Sequence, residues 1–208
     1  MYQEKYIISS CTISSNVILK NDQEIFSVKA DKIQEFFLAV YHFLKIDYPK
    51  FYKMDNLSKL GFLASEILLK DENLNEFEPA NVGIVLTNAN ASLDADIKYF
   101  ESLKDFASPA LFVYTLPNIV TGEICIRNNF KGENSFFISE EFNAAFLEQY
   151  VTDLFKQNVV KICICGWVDV LDEEYKATLF LISENKHSKA LLFSKGNMDT
   201  IFKSGERK

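Results

Sequence analysis

The chain has 208 residues, 48% of them hydrophobic and 25% charged, with 7 Gly and 4 Pro; that much apolar surface offsets chain entropy and excludes a disordered or collagen-like polypeptide. The net charge is −7, and the arginines, Arg127 and Arg207, lie in no basic cluster, which argues against a nucleic-acid partner. No run reaches the ~18–20 apolar residues of a membrane helix, and the N-terminal segment lacks the apolar core of a leader peptide, so the expectation is one cytoplasmic domain over 1–208, with no membrane contact.

In chain order, the Ile- and Thr-rich stretch 6–15 reads as a strand, and a polar turn at 20–23 leads to a second short strand over 24–28. Asp31 and Gln34 make a capping-box-like start to a helix through 46, whose apolar set is Ile33, Phe36, Phe37, Val40 and Leu44. A second helix covers 55–70, and a short apolar strand covers 82–86. Ser92 is placed to cap a helix through 103; Pro109 and Pro117 mark first helical turns, the second helix running to 128. A strand near 135–138 leads to a helix over 140–157 that is apolar far round its circumference, from Phe142 through Phe146, Leu147, Tyr150 and Val151 to Phe155. Such a helix is covered on both sides. Strands at 159–167 and 177–183, joined by the acidic turn Asp172–Glu174, complete an α/β pattern: one mixed sheet with helices packed on it.

The four cysteines, Cys11, Cys125, Cys163 and Cys165, lack metal-site spacing, and His42 and His187 are the only histidines, so no metal and no cofactor is expected. Cys163 and Cys165 share one face of a strand, with Cα atoms about 6.6 Å apart, near the far limit for a disulfide. Buried reduced thiols are the simpler reading; a redox pair is the alternative.

Several stretches, in order, resemble the N-terminal half of a β-ketoacyl synthase of the thiolase-like superfamily. Tyr52-Lys53-Met54-Asp55 is similar to that family's Arg-Met-Asp helix start, and Val82–Leu86 to the strand before its Gly-rich loop. Ser108–Phe112, then Leu116-Pro117-Asn118 and Gly122-Glu123-Ile124, resemble its serine-proline and proline-asparagine helices. Asn129–Gly132 resembles the lead-in to the nucleophile strand, and Gly166–Asp169 the later Gly-Gly-x-Glu segment. The match is clearest over 52–183. It implies half of a thiolase-like fold, with a single mixed five-stranded sheet.

The departures matter more. The resemblance puts the strand-to-helix elbow, where the family carries its nucleophilic cysteine, at Ser139-Glu140-Glu141, with Glu141 in the cysteine's place, or Glu140 if the register shifts by one. A thiol is needed there because a helix N-terminus stabilises the thiolate that accepts the acyl chain. A carboxylate gains from the same helix end but is a poor acyl-transfer nucleophile. The simpler reading of Glu141 is a first-turn acid. A complete family member is also about twice as long, with its two catalytic histidines in the missing half, and neither His42 nor His187 falls in a matching motif. No catalytic residue is therefore assigned; Ser139, Glu141, Phe142 and Asn118 are the candidate binding residues.

The resemblance thus points to a non-catalytic, chain-length-factor-like subunit that assists a full-length ketosynthase in fatty-acid- or polyketide-type chain extension. The apolar helix over 140–157 would be covered by that partner, by a second copy of the chain, or by a lid from 31–46 or 190–208. An acyl carrier protein would be met only indirectly, because an acidic, arginine-poor chain is unsuited to docking an acidic carrier. Two alternatives stand beside this reading: an acyl-thioester hydrolase or malonyl decarboxylase using Glu141, and an acyl-binding homodimeric scaffold.

Overall fold

The computed structural model describes residues 3–186 and 188–205; His187 and Arg207 lie outside them. The chain opens with β1 (Tyr6–Ser14), β2 (Val17–Lys20) and β3 (Gln23–Ser27), joined by two-residue turns. Ser15–Asn16 and Asn21–Asp22 all have positive φ, between 49° and 64°, the left-handed pair that matches the twist of a tight hairpin. Then follow α1 (Ile33–Phe43), a 3₁₀ turn at Pro49–Lys53, α2 (Asn56–Leu69), β4 (Val82–Asn88), α3 (Leu93–Ser102), α4 (Pro109–Val113) and α5 (Ile119–Asn128). The remainder is β5 (Asn134–Ile138), α6 (Ala144–Lys156), β6 (Ile162–Leu171), β7 (Glu174–Ser183), β8 (Leu191–Leu192) and α7 (Lys195–Ser204). No helix among the described residues is long and apolar enough to cross a membrane.

The strands form one mixed sheet in the order β3-β2-β1-β7-β6-β4-β5, with β8 beside β1. It has eight strands where five were expected. The run β1-β7-β6-β4-β5 is the five-stranded unit; β2, β3 and β8 extend its β1 side. β2 escaped the sequence reading because Ser15 and Asn16, although neither is Gly, turn the chain after β1. Both β5 and β6 run parallel to β4, so the three carboxyl ends face the same way, while β7 lies antiparallel to β6.

Two layers cover the sheet. On one face α1, α2 and α5 bury a cluster including Phe36, Phe37, Leu60, Phe62, Leu63 and Ile124 against Ile84, Leu86, Ile164 and Leu179. Each such side chain contributes roughly 1.5–3 kcal/mol. Gly61 lets α2 meet α5: a Cβ there would lie 2.3 Å from Val120 Cγ2. Arg127 fastens the far end of the same helix pair, donating to both Glu66 carboxylate oxygens at 2.9 and 3.0 Å. On the other face α6 and α7 bury Ala144, Leu147, Val151, Phe155, Met198 and Ile201 against Val85, Cys163, Cys165, Phe180 and Ile182. Cys163 and Cys165 do share a face, fully buried and unpaired with each other, and burial pushes both thiols up. Low thiolate content follows, in keeping with buried reduced thiols.

Three caps differ from expectation. α1 is capped at Lys32 without a side-chain bond, so Asp31 and Gln34 form no box. Ser92 spends its hydroxyl on the Thr115 carbonyl instead of capping α3. The helix expected from 140 begins at Ala144, because Asn143 accepts from Phe146 N at 3.0 Å and is the better cap. Glu140 and Glu141 therefore stand ahead of α6, outside its first turn.

Candidate functional site at the strand ends

The carboxyl ends of β4, β5 and β6 bring together three loops, the place where open parallel sheets hold their sites. After β4 the chain turns through Ala91, a non-glycine residue at φ 48°. Asn88 holds it on both sides: its Oδ1 accepts from Ala91 N and its Nδ2 donates to Ala91 O, at 3.0 and 2.8 Å. Asp169, near the end of β6, accepts from the Ala89 and Asn90 backbone N–H groups and from Asn90 Nδ2. Those donors, which could otherwise face an anion, are taken by the protein's own carboxylate. Asp169 was marked in the sequence only as the end of the Gly166–Asp169 segment, and Asn88 and Asn90 were not singled out, although Asn88-Ala89-Asn90 directly after an apolar strand is a turn signal.

The β5–α6 connection, between Ile138 and Ala144, is a strand-to-helix bend. Ser139 N donates to Asn88 O at 2.8 Å, joining it to the β4 loop, and Ser139 Oγ donates to Glu141 O at 2.9 Å. Glu140 and Glu141 are exposed. Phe142 turns inward and stacks on Phe202 of α7, with ring centroids 4.2 Å apart and planes 7° from parallel. Trp167 stands edge-on to both rings, at 6.4 and 6.2 Å, and Phe180 is 6.3 Å from Phe142. Aromatic side chains thus fill the space behind the bend. Asn118, the fourth candidate, lies apart from the bend: it is exposed ahead of α5, and its carbonyl accepts from Gly122 N and Thr121 Oγ1.

A buried polar set surrounds the start of α2. Asp55 caps that helix by accepting from Ser58 N at 3.0 Å, and burial pushes its carboxyl up. Asp94, buried on α3, accepts from Asn56 Nδ2, from Lys98 Nζ and from Asp172 N. Glu123, buried on α5, lies 2.7 Å from Lys50 Nζ. Burial and the Glu123 charge push the Tyr114 hydroxyl up to about 12, and burial does the same to Tyr175. A raised phenol stabilises the fold fully below its ordinary value near 10, and that stability is lost as pH climbs through roughly 10 to 12. An alkaline titration followed by phenolate absorbance should therefore show tyrosines, Tyr114 and Tyr175 among them, lagging in the folded chain relative to the chain in urea; equal curves would contradict these environments.

The apolar circumference of α6 is not open. The sheet covers one side and α7, from the chain's own 190–208 segment, covers another, which is one of the two lids foreseen. The exposed large apolar residues are concentrated elsewhere: ten of the sixteen among the described residues fall between Leu93 and Ile138. Phe106, Phe100, Ile126 and Phe112 are 76, 70, 65 and 59% exposed. They belong to α3, α4, α5 and their connections, which precede the edge strand β5; Ile138 ends that strand, itself hydrogen-bonded only to β4 among the described strands. Where such residues form one contiguous patch they mark an interaction surface.

Comparison with protein-family models gives no match, and comparison with curated proteins gives none. Solved structures do match. The chain is similar to the ishigamide ketosynthase/chain length factor, with TM-score 0.63 and 16% identity over 86% of this chain and 62% of that one. It is similar to a type II polyketide synthase acyl-carrier protein in complex with its ketosynthase bound to the hexaketide, with TM-score 0.62 and 14% identity over 90% of this chain and 64% of that one. A third is the ketosynthase ApeO in complex with its chain length factor ApeC from Xenorhabdus doucetiae, with TM-score 0.58 and 12% identity over 88% of this chain and 79% of that one. The chain thus spans less than two thirds of the first two structures. At these identities the likeness establishes the fold: an α/β, ketosynthase-like architecture, as the sequence resemblance implies.

Proposed function

We propose that the chain is a non-catalytic, chain-length-factor-like subunit that assists a complete ketosynthase in fatty-acid- or polyketide-type chain extension in the cytoplasm. The observation that carries this reading is the elbow. Where a condensing enzyme needs a thiolate at a helix N-terminus, Glu141 is exposed and lies ahead of the helix, and the Phe146 N–H is already bonded to Asn143. Phe142, Phe202 and Trp167 pack against one another directly behind the bend. The exposed position of Glu141 and the occupied Phe146 N–H disfavour acyl transfer, and equally a hydrolase or decarboxylase built on Glu141.

The partner reading rests on the apolar surface of α3, α4 and α5. Structures of similar fold are described as ketosynthase/chain-length-factor assemblies, and a ketosynthase partner would also supply the basic surface that an acyl carrier protein requires. The test is a reconstituted extension assay with a complete ketosynthase from the same source organism. Extension should need both proteins, the chain alone should turn over no malonyl or acyl thioester, and Glu141→Ala should leave the pair's rate within about twofold, as expected of a group outside the chemistry. Thioester turnover by the isolated chain, lost in Glu141→Ala, would replace this reading with the hydrolase one.

A further inference from the structure

α3 carries Leu93, Ile97 and Phe100 of the exposed apolar set, and Leu103 follows directly after it. Two of its ten residues are buried, Asp94 and Ala95. Ala95 is thus its one buried apolar side chain, and the half-buried Tyr99 turns its ring to Phe112 of α4, which is itself exposed. A ten-residue helix is marginal on its own, and so little apolar burial does not fix its place. What ties α3 to the body of the protein is polar.

Two carboxylates make the main ties. Ahead of the helix, Asp169 Oδ1 accepts from Ala89 N at 3.3 Å and Asn90 N at 3.0 Å, and its Oδ2 accepts from Asn90 Nδ2 at 2.7 Å. The Asn90 carbonyl in turn accepts from Leu93 N, the first residue of α3, at 2.9 Å. Within the helix, buried Asp94 accepts from Asp172 N through Oδ1 at 3.2 Å. Its Oδ2 accepts from Asn56 Nδ2 of α2 at 3.1 Å and from Lys98 Nζ, one turn along, at 2.6 Å. Asp169 lies in β6 and Asp172 just beyond its end at Leu171, so both ties lead to one place. β6 is paired along its length with β4 and β7, which makes that end a rigid platform. Outside these ties, Asn88 holds Ala91, and Ser92 Oγ donates to Thr115 O.

We propose that Asp169 and Asp94 form a two-point clamp that sets α3 against the end of β6, and that both are positioning residues for ketosynthase docking. The docking half of this statement rests on the function proposed above; the clamp itself does not. With the clamp in place, Leu93, Ile97 and Phe100 meet the partner already ordered, and binding loses little to ordering entropy. Without it, α3 keeps the ties at Asn88 and Ser92 and opens locally more often.

The experiment is hydrogen–deuterium exchange of the full chain, together with its affinity for a complete ketosynthase from the same source organism. The variants are Asp169→Asn, Asn90→Asp, the two combined, and Asp94→Asn. Asp169→Asn sets two amide groups against each other and removes a charge-assisted hydrogen bond. Exchange over 89–102 should therefore rise about tenfold and affinity should fall about tenfold. Asn90→Asp sets two carboxylates together and should act in the same direction. The combined variant restores the bond with its direction reversed and leaves the net charge unchanged, so both readings should return to within about threefold of wild type. Asp94→Asn, which opposes the Asn56 amide and releases Lys98, should raise exchange over α3 like Asp169→Asn. Amides of β7 should keep their protection throughout; their loss would replace the clamp with general destabilisation. Unchanged exchange in Asp169→Asn or Asp94→Asn, or no recovery in the combined variant, overturns the clamp. If Asp94→Asn fails to fold, the Asp169 and Asn90 variants decide it. Raised exchange with unchanged affinity overturns the positioning role. A wild-type chain that binds no ketosynthase overturns the proposed function instead, while the exchange result still decides the clamp.

Discussion

Gly166→Ala is expected to destabilise the fold by about 3–5 kcal/mol, a large share of a typical domain's margin of roughly 5–15 kcal/mol. Gly166 lies within β6, paired with Leu86 of β4 on one side and Leu179 of β7 on the other. Its φ of +149° is one that residues with a side chain rarely adopt, and a Cβ there would fall 2.1 Å from the Thr178 carbonyl oxygen. Neither problem can be relieved cheaply: the obstructing atom belongs to the backbone of the adjacent strand, and Thr87 Oγ1 donates to Gly166 O from the strand on the other side. A urea titration should show the midpoint falling sharply, or no cooperative transition at all. Gly122→Ala is the control, since nothing lies within 4 Å of that Cβ position on α5; it should be neutral or gain up to about 1 kcal/mol from helix propensity. Equal midpoints for the two variants would contradict the strand geometry.

The second large effect concerns binding. Phe112→Asp and Ile126→Asp each place a charge on the apolar surface of α4 and α5. Each should weaken ketosynthase association by about 100-fold, the scale of losing an interface anchor of roughly 2–3 kcal/mol. Because both side chains are mostly exposed, thermal stability should stay within about 0.5 kcal/mol of wild type. Tyr150→Asp provides the contrast. It alters α6, the helix whose sequence looked most in need of a partner, but its ring packs on Phe137 and Phe146 within the chain. It should lower stability, with little effect on binding beyond that. The reverse pattern would return the interface to α6.

That contrast shows what could be read from sequence. The alternation of strands and helices was legible because α2, α6, β6 and β7 carry long, unbroken periodic patterns. The start of α2 was legible to within one residue, Asp55 against Asn56, and Asp55 proves to be its cap. The order of motifs implied a strand-to-helix bend at Ser139–Glu141, and Ser139 to Phe142 do lie between β5 and α6. The helix start was misplaced by four residues because Asn143, a short amide, out-competed two acids, and pattern alone does not rank caps. The covering of α6 by α7 was left among several options, since an apolar face does not reveal whether its cover comes from the same chain.

The buried polar set was the least legible part. Glu123 resembles any surface acid in Gly122-Glu123-Ile124; only the long-range packing of α5 on α2 and of Lys50 across it makes it a buried, paired carboxylate. Asp169 likewise joins residues about eighty positions away at Ala89 and Asn90. The exposed apolar residues of 93–138 were visible as letters, but a helix as short as α4 has too few turns for periodicity to tell an outward face from an inward one.

The central claim is that this chain is the non-catalytic member of a pair that docks through α3, α4 and α5. Native mass spectrometry of the chain mixed with a complete ketosynthase from the same source organism, at micromolar concentration, tests this directly. The account predicts a discrete hetero-oligomer with wild type and its loss with Phe112→Asp. Two species that stay separate under those conditions, or a complex that survives Phe112→Asp and Ile126→Asp together, would contradict it.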